Sequence, residues 1–117
     1  MYIDGFVTAV PKANKEKYIA HLKEAAPLIK DCGVTRMVET WQDDVSKGKI
    51  TDFFKAVEAK EDEAVLFSWF EWPSKEARDA GVKKMMEDER MHHLEMPFDG
   101  SRMIFGGFEA IFDETLN

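Results

Sequence analysis

The segment Ala64–Trp72 constrains this chain more than any other feature. Val65, Leu66, Phe67, Trp69, Phe70 and Trp72 place apolar side chains in both strand phases. A strand that is apolar on both faces must be covered on both. The chain has 117 residues, enough for one domain and too few for two of ordinary size. We therefore expect a single domain over residues 1–112 and a short C-terminal tail over 113–117. The central strand's second cover must come from outside the chain.

The neighbouring patterns place that strand in a sheet. Tyr2–Val10 alternates and is rich in strand formers, and Pro11 ends it. Asn14 is placed to cap a helix whose apolar stripe is Tyr18, Leu22, Ala25, Ala26 and Ile29. Pro27 predicts a kink or an early end, and Gly33 a left-handed residue after the helix. Val34–Gln42 and Ile50–Glu58 read as strands around the turn Ser46-Lys47-Gly48-Lys49. After Pro73, Ser74 caps a second helix to about Glu87, and Asp88 caps a short turn through His93. Met96–Ser101 reads as a loop and Arg102–Phe112 as the last strand, with Gly106-Gly107 marking a bulge or a close contact.

This order is the split β-α-β pattern of a ferredoxin-like α+β domain with an antiparallel sheet. It has room for two strands between the helices, whereas three candidates are present. We expect 34–42 and 50–58 to run the same way, as two halves of one interrupted strand. Helices cover one sheet face. The other is rich in Phe, Trp and Met, which predicts a homodimer packed sheet to sheet.

Composition excludes several function classes. Sixteen Lys and Arg against 23 Asp and Glu give a net charge of −7, which opposes nucleic acid and anionic lipid. There is one cysteine, Cys32, so no internal disulfide is expected and a Cys-based zinc site is disfavoured. No run of 18 apolar residues is present. The opening Met1-Tyr2-Ile3-Asp4 lacks the pattern of a signal peptide. We expect a cytoplasmic protein with no nucleic-acid or membrane partner. Phosphate-binding, dinucleotide and nucleophile-elbow motifs are absent.

Several segments together resemble the YbaA-like bacterial family. They are Asp4-Gly5-Phe6-Val7, Val38-Glu39-Thr40-Trp41, Phe67 through Lys75, Lys84-Met85-Met86 and the long block Met96 through Glu109. The resemblance spans about Tyr2 to Phe112 and implies the dimeric alpha+beta barrel superfamily, in which two ferredoxin-like sheets close one barrel. It implies no reaction. Superfamily members include cofactor-free monooxygenases, isomerases, haem enzymes and stress proteins, and fold alone does not choose among them.

Strand parity supplies the candidate site. We expect Ile3, Gly5, Val7 and Ala9 to face the helices, and Asp4, Phe6 and Thr8 to face the barrel. Matching phases elsewhere bring Asp4, Glu39, Glu71 and Glu109 toward one apolar cavity, with Trp41, Trp69 and Phe105 in its lining. A carboxyl beside Trp or Phe loses water, so its pKa rises and it suits general acid–base work. This predicts proton transfer on a small apolar or aromatic molecule without a cofactor, with Glu39 or Glu71 as base. Two alternatives stand beside it. The acids sit solvated or paired with Arg36 and Arg102, or the barrel is filled by its own side chains and the protein is a non-catalytic dimerisation or stress module. His92-His93 with Glu95 lacks the i, i+4 spacing of a two-histidine metal site, so no metal is expected. Three histidines without a haem motif give no support for haem.

Overall fold

The computed structural model describes residues 1–117. Four strands form one antiparallel sheet: β1 Tyr2–Pro11, β2 Arg36–Glu39, β3 Glu63–Trp72 and β4 Ile104–Glu109, in the order β2-β3-β1-β4. Helices α1 Lys15–Asp31 and α3 Lys75–Glu87 pack on one face. Single-turn helices α2 Phe53–Ala56 and α4 Glu89–His92 lie in the connections. This is the ferredoxin-like α+β arrangement. No helix is long and apolar enough to cross a membrane.

Local chemistry explains most boundaries. Ser74 Oγ accepts from the Ala77 amide at 3.1 Å and starts α3. Gly33 follows α1 at φ 107°, where a side chain would be strained. Asp88 accepts from the Arg90 amide and starts α4. Asn14 stands at the N-cap of α1 but does not cap it. Its side-chain amide donates instead to the Pro97 carbonyl at 3.0 Å, tying the helix start to a distant loop.

Four expectations are corrected in whole or part. Helix α1 runs through Pro27 to Asp31, so the early end, one of the two outcomes expected there, does not occur. Lys23 and Pro27 are exposed, so water reaches the carbonyl left without an N–H. Residues 50–58 are not a strand. Asp52 Oδ1 accepts from the Lys55 amide at 2.6 Å and nucleates one helical turn. The segment 34–42 contributes only β2, Arg36–Glu39. Two strands therefore lie between the helices, antiparallel, and no interrupted strand is needed. At the C-terminus β4 stops at Glu109, short of the expected Phe112.

The core is thin. Seventeen of 117 residues are buried, and the radius of gyration is 15.1 Å against about 13 Å for a monomeric domain of this length. The helix face holds two clusters, one around Val10, Tyr18, Ala64 and Leu66, the other around Ala25, Ile29, Val34 and Trp72. Gly81 lets α3 approach the second. A Cβ there would lie 2.3 Å from the Trp72 ring and 2.4 Å from the Cys32 carbonyl oxygen. On the opposite face, Val57 and Phe54 cover only one end of the sheet, at Ala9 and Val65. Phe67 (48% exposed) and Phe108 (63%) on that face stand open to solvent.

Candidate functional site

Register decides which side chains share a face, because paired residues of antiparallel strands point the same way. Phe6 pairs with Ser68 and Phe105, and Ser68 pairs with Glu39. Asp4 pairs with Phe70 and Gly107, and Tyr2 with Glu109. This set lies on the helix face. Ile3, Gly5 and Val7 pair with Glu71, Trp69 and Phe67 on the open face. The expected phase of β1 is thus inverted, and Glu71 parts from Asp4, Glu39 and Glu109, whereas Trp69 lines an apolar hollow of about 570 Å³ on the open face together with Phe6 and Phe105. The physical reason is that Asp4 and Thr8 are buried against the helices, where Asp4 finds partners from a remote helix.

Asp4 accepts from Trp72 Nε1 at 2.8 Å, and from Arg78 Nη2 at 2.9 Å and Nε at 3.2 Å. This pair, a buried carboxylate against a half-buried guanidinium, ties the sheet to α3. Glu71 accepts from Trp69 Nε1 at 2.9 Å and pairs with Arg36 at 3.3 Å, so it matches the paired reading. Arg102 pairs elsewhere, with buried Glu63 at 2.6 Å and with Asp99 at 3.0 Å. Glu109 and Phe105 are exposed. Trp41 packs on the cluster around Tyr18, beneath Lys15 Nζ at 5.4 Å. Gly106-Gly107 forms a close contact and not a bulge. The β1–β4 register is continuous, and a Cβ on Gly107 would lie 2.3 Å from the Tyr2 hydroxyl.

Glu39 and Phe6 remain together, in a chamber of about 200 Å³ between the sheet and α1. Phe6, Thr8, Ser68 and Phe70 form its floor, with Glu39 from β2 at one side. Helix α1 supplies Tyr18, His21 and Ala25. Met91, Leu94, Met96 and Phe98 close the rim from α4 and the loop after it. That loop is held by the Asn14–Pro97 bond and by the Arg102 clamp on Glu63 and Asp99. The loop chemistry read from Met96-Pro97-Phe98-Asp99-Gly100 therefore builds a chamber wall.

Three oxygens converge in this apolar space. The Tyr18 hydroxyl donates to Glu39 Oε1. Burial pushes the Glu39 carboxyl above its usual range, and the Tyr18 bond opposes that rise. Burial, reinforced by the adjacent Glu39 charge, pushes the Tyr18 hydroxyl far up, so it stays protonated. The Ser68 hydroxyl is buried beside this pair, and its interaction with both Glu39 and Tyr18 holds their pKa values down against the rise that burial imposes. His21 is held neutral near pH 7, because burial lowers its pKa against the pull of Glu24. Ser68 and Tyr18 escaped the sequence reading. Tyr18 reads as part of a helical core stripe, and Ser68 as a polar break in an apolar strand.

No three metal-ligating side chains converge in the fold. His92 Nε2 lies 2.7 Å from the Met86 carbonyl oxygen. Cys32 is buried, which raises its thiol pKa and keeps it protonated.

The raised Glu39 pKa has a defined sign in stability. A carboxyl titrating higher when folded stabilises most below its unfolded value, and that contribution is lost as pH rises through the folded value. Glu39→Gln, which keeps an acceptor for Tyr18 and removes the charge, is therefore expected to melt a few degrees above the parent at pH 8. At pH 4 the two should coincide. Thermal melts at both values check this, and an equal difference at the two would mean that Glu39 is solvated.

The family model described as "Protein of unknown function (DUF1428)" matches residues 1–100. The "Uncharacterized protein YbaA" of Escherichia coli K12 is 56% identical over 115 residues, 97% of this chain and 98% of that protein. Among solved structures, a protein from an uncultured marine organism, described as a dimeric ferredoxin-like protein, aligns with TM-score 0.57 at 11% identity over the whole of both chains. An uncharacterized NIPSNAP domain protein from Burkholderia xenovorans aligns with TM-score 0.58 at 9% identity, covering 98% of this chain and 100% of that one. At such identities the structural likeness speaks for the fold.

Proposed function

This chain belongs to the DUF1428 family of unknown function, the family that includes YbaA, and from that premise we propose that it binds a small, mostly apolar molecule in the chamber between sheet and α1. Glu39 acts there as a general base that removes a proton from the ligand, with Tyr18 holding the carboxylate in place. The observation that carries this reading is the desolvated Tyr18–Glu39 pair, with the Ser68 hydroxyl beside it, inside an apolar chamber. A carboxyl whose pKa is raised by burial, facing an apolar cavity, is the pattern of a general-base site. No cofactor is required by this chemistry. The lone, buried Cys32 fits a reducing cytoplasm.

We further propose that the working form is a homodimer closed by the open sheet face. The thin core, the exposed Phe67 and Phe108, and the relative described as dimeric support it. The expected barrel then lies between two sheets, while the ligand chamber lies on the other side of each sheet, within one protomer.

The test is native mass spectrometry of protein purified from its host, beside the denatured spectrum. The expected result is a dimer with one retained small molecule per chain. Met96→Trp, at the rim, should lose that mass and remain a dimer. A parent protein without added mass, indistinguishable from Met96→Trp, would count against a ligand chamber.

A further inference from the structure

An acidic, apolar tail and a basic groove stand unmatched at opposite edges of the sheet. We propose that residues 110–117 of one protomer dock in the groove between α1 and β2 of the other, so that the dimer exchanges its C-terminal tails. This rests on the homodimer reading above and adds to it the segment that reaches the partner.

The tail has no seat in its own chain. Its last backbone bond to the body runs from the Ala110 N–H to the Met1 carbonyl at 3.2 Å. Beyond it Ile111 is 93% exposed and Phe112 79%, and Leu116 is open as well. Three large apolar side chains within six residues mark a contact surface. Asp113 and Glu114 stand among them, and residues 110–117 contain no Lys or Arg.

The groove has the complementary character. It lies between the C-terminal half of α1 and the edge strand β2, with a volume of about 950 Å³. Ala26, Val34 and Met37 give it an apolar lining. Its charged lining residues, Lys23, Lys30 and Arg36, are all cations, in a chain whose net charge is −7. Lys23 and Lys30 form no ion pair within the chain, and Arg36 holds Glu71 through Nη1 alone, at 3.3 Å. Strand β2 bonds only to β3. Its outer backbone edge is therefore a template for a further extended segment.

Register brings tail and groove together. Arg36 pairs with Glu71, Glu71 with Ile3, and Ile3 with Phe108. The start of β2 and the end of β4 thus share one row, at opposite edges of the sheet. Within one chain those edges are three strand spacings apart, roughly 14 Å. A two-fold axis along the strands, in a sheet-to-sheet dimer, sets the β4 edge of one protomer over the β2 edge of the other. Stacked sheets lie about 10 Å apart, and seven extended residues span roughly 23 Å. The tail then reaches the partner's groove running antiparallel to β2. Asp113 and Glu114 meet its cations, and the apolar tail residues meet its lining.

Disulfide trapping tests the exchange. One chain carries Thr35→Cys, at an exposed residue of the groove. The other carries Ala110→Cys, Ile111→Cys or Phe112→Cys, and every chain has Cys32→Ala. The two are co-expressed, oxidised and weighed by native and denaturing mass spectrometry. A disulfide forms only where Cα atoms come within about 7 Å. The expected product is a heterodimer linked through at least one of the three tail positions. Neither chain alone should cross-link, nor should Thr35→Cys with Ser101→Cys, an exposed residue before the other end of β4. Lys23→Glu with Lys30→Glu should cut the yield about fivefold, and adding Asp113→Lys with Glu114→Lys should restore it. A native dimer with no cross-link at any tail position overturns the exchange and leaves the homodimer standing. A disulfide formed only within a chain that carries both cysteines overturns it too, since the tail then folds onto its own chain. A monomer overturns the exchange and the homodimer together.

Discussion

Asp4→Ala is expected to lower stability by about 3 kcal/mol, the low end for breaking a buried ion pair. The Asp4 side chain is 10% exposed and that of Arg78 24%, so solvent screens the pair little. Removing the carboxylate leaves the Arg78 guanidinium and the Trp72 indole N–H without their acceptor. The remaining contacts of Arg78, to Asp79 and over the Tyr2 ring at 5.3 Å, do not replace it. For a domain of this size that loss is about 12 °C in melting temperature. Asp4→Asn keeps one acceptor and should lose about half as much. Adding Arg78→Ala to Asp4→Ala should recover part of the loss, since the stranded charge is gone. Chemical denaturation of the parent, Asp4→Ala, Arg78→Ala and the double variant measures the cycle. A loss below about 1 kcal/mol for Asp4→Ala, a surface-pair value, would mean that this network does not order the sheet against α3.

The same network shows why only part of the site was legible. Alternation and the two-faced apolar strand pointed to an antiparallel ferredoxin-like sheet, because these patterns depend on residues close in sequence. Phase did not follow from them. Both sides of β1 carry apolar residues, and the side facing the helices is chosen by Arg78, 74 residues beyond Asp4. Likewise 50–58 has strand-forming residues, yet Asp52 captures the Lys55 amide and sets one helical turn. Glu39, expected as a carboxyl among aromatics, is desolvated between the sheet and α1. Its partners were not expected, since Tyr18 and Ser68 meet it only through the α1–sheet packing and the β2–β3 register. Glu71 satisfied the same pattern and is held by Trp69 and Arg36 on the other face. Composition along a strand identifies desolvated acids. Which face they share is a tertiary property.

Phe67→Glu should convert the proposed dimer to monomer while leaving the chamber intact. Phe67 sits in mid-sheet on the open face, beside Trp69 at 5.9 Å between ring centroids, with Val7 opposite and the Phe108 ring over Gly5 and Gly106. A stable interface buries roughly 800 Å² per partner, and the uncovered part of this sheet is its main apolar surface. A carboxylate there would be buried without a partner, costing about 3 kcal/mol or more, which is a hundredfold or greater rise in dissociation constant. Light scattering at micromolar concentration should find a dimer for the parent and a monomer for Phe67→Glu. Ile50→Glu, at a 95% exposed residue off the sheet, should remain a dimer. A monomeric parent overturns the interface, and a dimeric Phe67→Glu moves it elsewhere. Residue 68 makes the result informative for function. Its neighbours Phe67 and Trp69 point to the open face, whereas the Ser68 hydroxyl faces the chamber beside Glu39. If the two faces of β3 work separately, monomeric Phe67→Glu will retain the same small molecule in native mass spectrometry as the parent does. Loss of binding with the dimer would mean that the partner sheet sets the position of β3, and with it the distance between Ser68 and Glu39.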